Sequence, residues 1–356
     1  MTRRAISGSV IAVMALVVLG MAPAGADIVD QHVILSHEYP AGQAAYDYSP
    51  TMVQSGDIQE YYWCGYGPAH AKATDDPRIV SASDVIYHAT YNVKTHVKTA
   101  PIPVLTETPD TWDERWVCNL SVVMGFAPFG DGQTYAAALY YVGSSTKLGT
   151  HNSIGVAFTN DWTHFRKWSA PVLSPPAQPQ SACQHEDGTT GQWVWNYGFG
   201  QPSAHNDNGH AGLSVFYTDA CAHPAPEFRA TTTDGVRFTN AGQLNSNGLD
   251  GNQPPANPAL AFNPAENAWY MASETASALR AATINGTLTH ERARWSFTLY
   301  RIPANGLLSG NATAWQPLVT VDTNLTGYET NGTPHSPETC TATCSTSTAT
   351  CRWTFK

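Results

Sequence analysis

Trp63, Trp193, Trp195 and Tyr197 are the residues whose type and spacing first point to chemistry. Trp193 and Trp195 stand two apart, so an extended backbone puts both rings on one face. Flat aromatic faces attract the C–H groups of a pyranose ring, which makes such a pair a stacking platform for sugars. Their plainer role is packing between sheets, where large aromatics carry much of a core. Seven cysteines are the other reactive groups: Cys64, Cys118, Cys183, Cys221, Cys340, Cys344 and Cys351. Cys183–Cys221 and Cys64–Cys118 are plausible disulfides, although four cysteines allow three pairings. The odd total leaves at least one thiol unpaired. The sequence contains no Cys-x-x-Cys pair, no H-x-x-x-H zinc pattern and no Gly-x-Ser-x-Gly elbow. Zinc ligation, Ser-His-Asp hydrolysis and phosphate-loop chemistry therefore have no motif behind them.

Composition narrows the field further. Charged residues make up 13% of the 356-residue chain and the net charge is −10, with about half the usual share of charged side chains. No Lys/Arg cluster occurs. A nucleic-acid partner is not expected, because backbone phosphates call for a cationic stripe. Met1–Ala26 reads as an export leader: Arg3 and Arg4 form its basic end, Val10–Met21 its apolar run, and Ala24-Gly25-Ala26 its small-residue cleavage site. The apolar run is too short to span a bilayer comfortably, and no later segment is apolar enough to cross one. The chain is thus expected to be secreted, with no membrane partner, which suits its cysteine content.

The elements that must position these residues are strands. Helix-period stretches are scarce, and short β-rich runs are separated by Gly, Pro, Asn and Asp. One unit recurs: a segment with Ser or Pro near its start, a turn, then an aromatic-rich strand. It begins at Ser49-Pro50, Leu120-Ser121, Gln201-Pro202 and Asn257-Pro258. A further strand follows in two copies, leading into Asn160-Asp161-Trp162 and Thr233-Asp234-Gly235. Repeated four-stranded sheets of this period indicate propeller blades, since a lone sheet cannot bury both faces and a ring of them can. A β-sandwich or two-sheet lectin is the competing architecture. The expected fold is all-β, a five-bladed β-propeller, with Trp315 to Val321 as an outer strand of the fifth blade. Residues 27–338 would form it. Residues 339–356 read as an atypical Thr/Cys-rich tail that cannot complete a sheet. Either the closing strands are lost or the tail is a natural one, so an incomplete last blade is part of the expectation.

The stretches Ala136–Gly143, Asn152–Ala157, Trp168–Leu173 and Tyr197–Ser203 resemble the five-bladed propellers of glycoside hydrolase family 43 and its β-fructosidase relatives. The likeness covers most of Asp47 to Arg301. It implies an enzyme acting on poly- or oligosaccharide glycosidic bonds, with carboxylates at one mouth of the channel. One acid must be held ionised and another protonated. Asp47 matches the base position best, although a turn or capping role is the plainer one. Asn119 stands where the family pattern puts Asp-Pro, and Gln201 stands near the expected acid. Neither carries charge. Glu274 and Glu186 are the other candidate catalytic acids, set against solvated loop charge. Trp63, Asn119, Trp195, Tyr197, Gln201 and His335 are the candidate sugar-binding residues. A channel histidine in such propellers can hold water or calcium, so a structural calcium is conceivable at His335, while no catalytic metal or cofactor is implied. The neutral Asn119 and Gln201 favour the rival reading, a non-catalytic carbohydrate-binding propeller.

Overall fold

A computed structural model describes residues 47–67, 84–124, 129–146, 151–175, 185–186, 193–194, 197–206, 212–220, 225–249, 254–276, 281–284, 287–290, 295–321, 341–345 and 350–354. The first sheet joins β1 (Asp47–Ser55), β2 (Ile58–Tyr66), β3 (Asp84–Asn92) and β4 (Ile102–Leu105) as an antiparallel meander. The second joins β5 (Trp116–Met124), β6 (Ala137–Ser144), β7 (Ser153–Thr159) and β8 (Arg166–Lys167). A short pair follows, β9 (His185–Glu186) with β10 (Trp193–Val194). The third sheet holds β11 (Phe199–Asn206), β12 (Leu213–Asp219), β13 (Glu227–Thr232) and β14 (Thr239–Gln243). In the fourth, β15 (Ala256–Asn263) and β16 (Ala268–Ala276) are followed by a separate hairpin, β17 (Ala281–Ile284) with β18 (Thr287–His290). The sheet then resumes with β19 (Trp295–Pro303) and β20 (Gln316–Val321). A last hairpin pairs β21 (Thr341–Ser345) with β22 (Thr350–Thr354).

The first strands of the four sheets lie side by side in the order β1, β5, β11, β15, and β21 lies beside both β15 and β1. This is a propeller. It has four complete blades among the described residues, not five. Residues 316–321 belong to the fourth blade, as its outer strand β20, because the β17–β18 excursion separates that blade's second and third strands and makes the repeat look shorter in sequence. The tail forms a hairpin of its own, outside the four blade sheets. Threonine is β-branched and favours the extended backbone, so 341–345 and 350–354 pair as strands despite their sparse apolar content.

The repeat is built into the contacts between blades. Thr51, Ser121 and Ser203 occupy one register station, opposite the aromatics of the second strands. Ser121 Oγ accepts the amide of Ala204 at 2.9 Å, and Ser203 Oγ accepts the amide of Leu260 at 2.9 Å. Each hydroxyl thereby ties one inner strand to the next. Tyr62 and Tyr140 form a second such pair, donating to Trp162 O at 2.9 Å and Gly235 O at 2.8 Å of the following blade. Those carbonyls are held in matching turns, where Thr159 Oγ1 accepts the Trp162 amide and Thr232 Oγ1 accepts the Gly235 amide. Gly235 adopts φ +75°, and a Cβ there would meet the Phe129 ring at 2.4 Å. The aspartates that recur in the sequence, Asp161 and Asp234, cap these turns.

The core follows the blade interfaces. Val53, Tyr62, Cys64 and Ile86 of the first blade join Leu139, Tyr140, Phe158 and Val215 in one apolar cluster. Full burial of such a side chain contributes about 1.5–3 kcal/mol. Met52, Tyr61, Trp63, Val85 and Tyr87 form a separate cluster on the opposite face of that blade. A third, with Phe216, Trp269, Met271 and Trp315, links blades three and four.

Candidate functional site

Each inner strand breaks its ladder at the same place. The register shifts between Tyr48 and Thr51 in β1, between Cys118 and Leu120 in β5, between Gly200 and Ser203 in β11, and between Ala256 and Ala259 in β15. The residues left in these bulges are Ser49, Asn119, Gln201 and Asn257, each at the head of its bulge. Proline follows in three of them, consistent with its tolerance at a bulge, where no ladder amide is needed. Ser49, Asn119 and Gln201 have φ of 50°, 42° and 52°. Side chains other than glycine rarely adopt this left-handed region, and it costs on the order of 1–3 kcal/mol where it persists. Three such residues at one station of three successive strands form a built feature at one mouth of the ring.

Hydrogen bonds knit this mouth together. Ser49 Oγ donates to Asn119 Oδ1 at 2.6 Å, and Asn119 Nδ2 donates to the Tyr197 hydroxyl at 2.5 Å. Ser49 and Asn119 are each only 6% exposed. The disulfide Cys64–Cys118, one of the pairings expected from sequence, crosses from β2 to β5 directly behind them, and the Asn119 amide donates to Cys64 Sγ at 2.9 Å. Tyr197 is clamped by Asn152, whose backbone N–H donates to Tyr197 O at 2.9 Å and whose carbonyl accepts the Phe199 amide at 3.0 Å. Its ring lies over Gly200, where a Cβ would approach it to 2.3 Å. Burial pushes the Tyr197 phenol well above its usual value, so it remains a neutral hydroxyl.

Unused hydrogen-bonding capacity gathers around Tyr197. Asn152 is fully buried and lies close enough to favour ionisation of the Tyr197 phenol. Even so, neither its Oδ1 nor its Nδ2 makes a hydrogen bond of acceptable geometry among the described residues. Trp116, whose ring is 6.4 Å from that of Tyr197, has a buried Nε1 in the same condition. Buried polar atoms are normally paired, so these donors and acceptors are suited to a water or a ligand hydroxyl.

One buried carboxylate, Asp84 at the start of β3, acts on Tyr197 and raises its phenol further. Glu227, at the start of β13, is fully buried; Thr218 Oγ1 donates to its Oε2 at 2.7 Å, while Oε1 has no partner among the described residues. Burial raises its pKa well above the usual carboxylate range. Lys167 Nζ meets Asp113 Oδ2 at 2.5 Å, and Tyr141 donates to the same oxygen at 2.9 Å. Burial lowers the Lys167 pKa, partly offset by Asp113. This network braces the β4–β5 connection, where Trp112 stacks on Tyr141 and fills the space left by Gly143 and Gly155. Among the described residues, no group of three or more His, Cys, Asp or Glu could hold a metal ion.

The residues expected from sequence are distributed unevenly over this geometry. Asn119, Tyr197 and Gln201 come together at the mouth. Asp47 begins β1 and shares its register station with Val117 and Phe199, two residues before the bulge. Glu274 pairs with Ala256 beside the bulge of β15, and Glu186 pairs with Trp193 across β9 and β10. The side chains of Asp47, Glu274 and Glu186 lie outside the described residues, as do Trp195 and His335 altogether. The second expected disulfide, Cys183–Cys221, also lies outside them. Trp63 is 4% exposed and stacks on Tyr87 with centroids 6.0 Å apart, so it serves the core of the first blade. A sugar platform needs an open ring face. Sequence reasoning missed Ser49, Asn152 and Trp116. Aligning the four bulge starts, Ser49-Pro50 with Asn119-Leu120, Gln201-Pro202 and Asn257-Pro258, would have selected Ser49.

No protein-family profile matches the chain, and no curated protein matches it. Solved structures do. One glycoside hydrolase superposes with a TM-score of 0.53 at 12% identity, covering 80% of this chain and 77% of that one. A family 117 glycoside hydrolase produced by the marine bacterium Zobellia galactanivorans gives 0.50 at 10% identity, with 82% and 75% covered. A fructofuranosidase from Schwanniomyces occidentalis, complexed with fructosylnystose, gives 0.50 at 14% identity, with 78% of this chain and 48% of that one covered. At such identities the likeness is one of fold. The chain has a propeller of the kind found in glycoside hydrolases.

Proposed function

We propose that this chain is an exported carbohydrate-binding propeller that holds its ligand at the axial mouth without cleaving it. The observation that carries this reading is the bulge station itself. Ser49, Asn119 and Gln201 keep a strained left-handed backbone there, and Asn257 holds the same station in β15. None of the four is a carboxylate. Hydroxyl and amide groups pair well with sugar hydroxyls, and the buried Trp116 Nε1, which has no partner among the described residues, offers a further donor. Glycoside cleavage needs one ionised and one protonated carboxyl flanking the scissile bond. The similar solved structures support a carbohydrate as the ligand class. Hydrolysis would require a pair drawn from acids outside the four bulge positions themselves, with Asp47, Glu274 and Glu186 as candidates.

The test is incubation of the secreted protein with a panel of polysaccharides and chromogenic glycosides, read by released reducing ends. Retention on an immobilised polysaccharide with no release of reducing ends is the expected result. Turnover that disappears in Asp47→Asn or Glu274→Gln, with folding intact, would replace this reading with a hydrolase.

A further inference from the structure

We propose that Cys344 and Cys351 form a cross-strand disulfide that staples the β21–β22 hairpin, and that this hairpin is the clasp closing the ring between the first and fourth blades. The inference is independent of the ligand reading. It rests first on register. The hairpin pairs Thr341 with Thr354, Cys344 with Cys351 and Ser345 with Thr350. Residues directly opposite in an antiparallel pair have Cα atoms about 4.5–5.5 Å apart, within the span of about 4.4–6.8 Å that a disulfide bridges. It rests next on position. β21 lies beside β1, β15 and β16, so among the described residues it bridges the first and fourth blades. The third ground is physical need. An isolated two-stranded hairpin is marginal in water, and a threonine-rich sequence offers little apolar surface to bury. A covalent link across the pair restricts the unfolded alternatives and holds the strands together. The chain already carries one such link, Cys64–Cys118, joining β2 to β5.

The bond forms by thiol–disulfide exchange with a protein dithiol oxidant or glutathione disulfide. One cysteine, as thiolate, attacks the oxidant's disulfide and gives a mixed disulfide. The second thiolate then attacks the protein sulfur of that bond and displaces the oxidant's thiolate. Two electrons pass to the oxidant, which leaves reduced, and the two thiol protons pass to solvent or to the departing thiolates.

The experiment uses the full chain, purified without reductant and alkylated before digestion. Trypsin cuts after Arg301 and Arg352, so one peptide carries Cys340, Cys344 and Cys351. The expected peptide is lighter by two hydrogens, is alkylated only at Cys340, and gives no single-cleavage fragments between Cys344 and Cys351. Alkylation at either of those two, or a link from either to another cysteine, overturns the disulfide. The clasp is tested by hydrogen exchange in the Cys344→Ser/Cys351→Ser variant. Faster exchange confined to β1, β15 and the hairpin is expected. Unchanged exchange in β1 and β15 overturns the closing role. Should the variant not fold, exchange of the native protein at rising reductant, compared with Cys64→Ala/Cys118→Ala, gives the same readout.

Discussion

Asn119 is the residue on which the mouth turns. It accepts from Ser49, donates to Tyr197 and sits in the left-handed region that asparagine tolerates better than most side chains. Asn119→Ala removes both side-chain bonds, which costs about 1–3 kcal/mol of folding stability, and it frees the Ser49 and Tyr197 hydroxyls from the positions the ligand would read, so affinity should fall roughly ten- to hundredfold. Because serine, asparagine and the raised Tyr197 phenol are all neutral from pH 5 to 9, binding should be flat across that range. A hydrolytic carboxylate pair would instead give a bell-shaped profile. Glu227 behaves differently. Its carboxyl is protonated in the fold at a pH where it ionises in the unfolded chain, since burial raises the folded value. Its stabilising effect is therefore complete below the unfolded value of about 4.5 and is lost as pH rises toward the folded value. Glu227→Gln should melt progressively higher than the parent as pH increases from 4 to 8. Parallel melting curves would contradict this assignment.

Strands and turns carry a second set of expectations. Gly143 and Gly155 admit the Trp112 ring, and a Cβ at Gly155 would come within 2.5 Å of it. Gly155→Ala should cost about 1–3 kcal/mol by overpacking, read by chemical denaturation. Cys64→Ala/Cys118→Ala opens a link across a sequence separation of 54 residues and should cost about 2–4 kcal/mol. Much of this level was legible in the sequence. The recurring Ser or Pro at each inner-strand start reports the bulge and the hydroxyl that ties neighbouring strands. The Asp161 and Asp234 turns report the carbonyls that receive Tyr62 and Tyr140. The blade count was not legible, because the β17–β18 excursion broke the fourth repeat and a Thr/Ser/Cys-rich run without aliphatic alternation gave no sign of a hairpin. The site was only partly legible. Aligning Ser49-Pro50 with Gln201-Pro202 and Asn257-Pro258 selects Ser49 from sequence, while the strand pairing adds that Asp47 shares the register station of Val117 and Phe199.

For the whole molecule, a ring of blades brings residues 49, 119, 197 and 201 to one mouth although the chain separates them widely. The propeller architecture is shared with glycoside hydrolases, while the bulge stations of this chain hold amides and a hydroxyl. A shared fold does not carry the chemistry with it, so activity must be read from the groups at the site. The most direct test is titration calorimetry of neutral oligosaccharides into the wild-type protein and Asn119→Ala, because one trace reports both binding and turnover. The account predicts a saturable binding isotherm for at least one oligosaccharide, weakened ten- to hundredfold in the variant, with no sustained heat. Steady heat of continuing turnover, or binding untouched by Asn119→Ala, would contradict it.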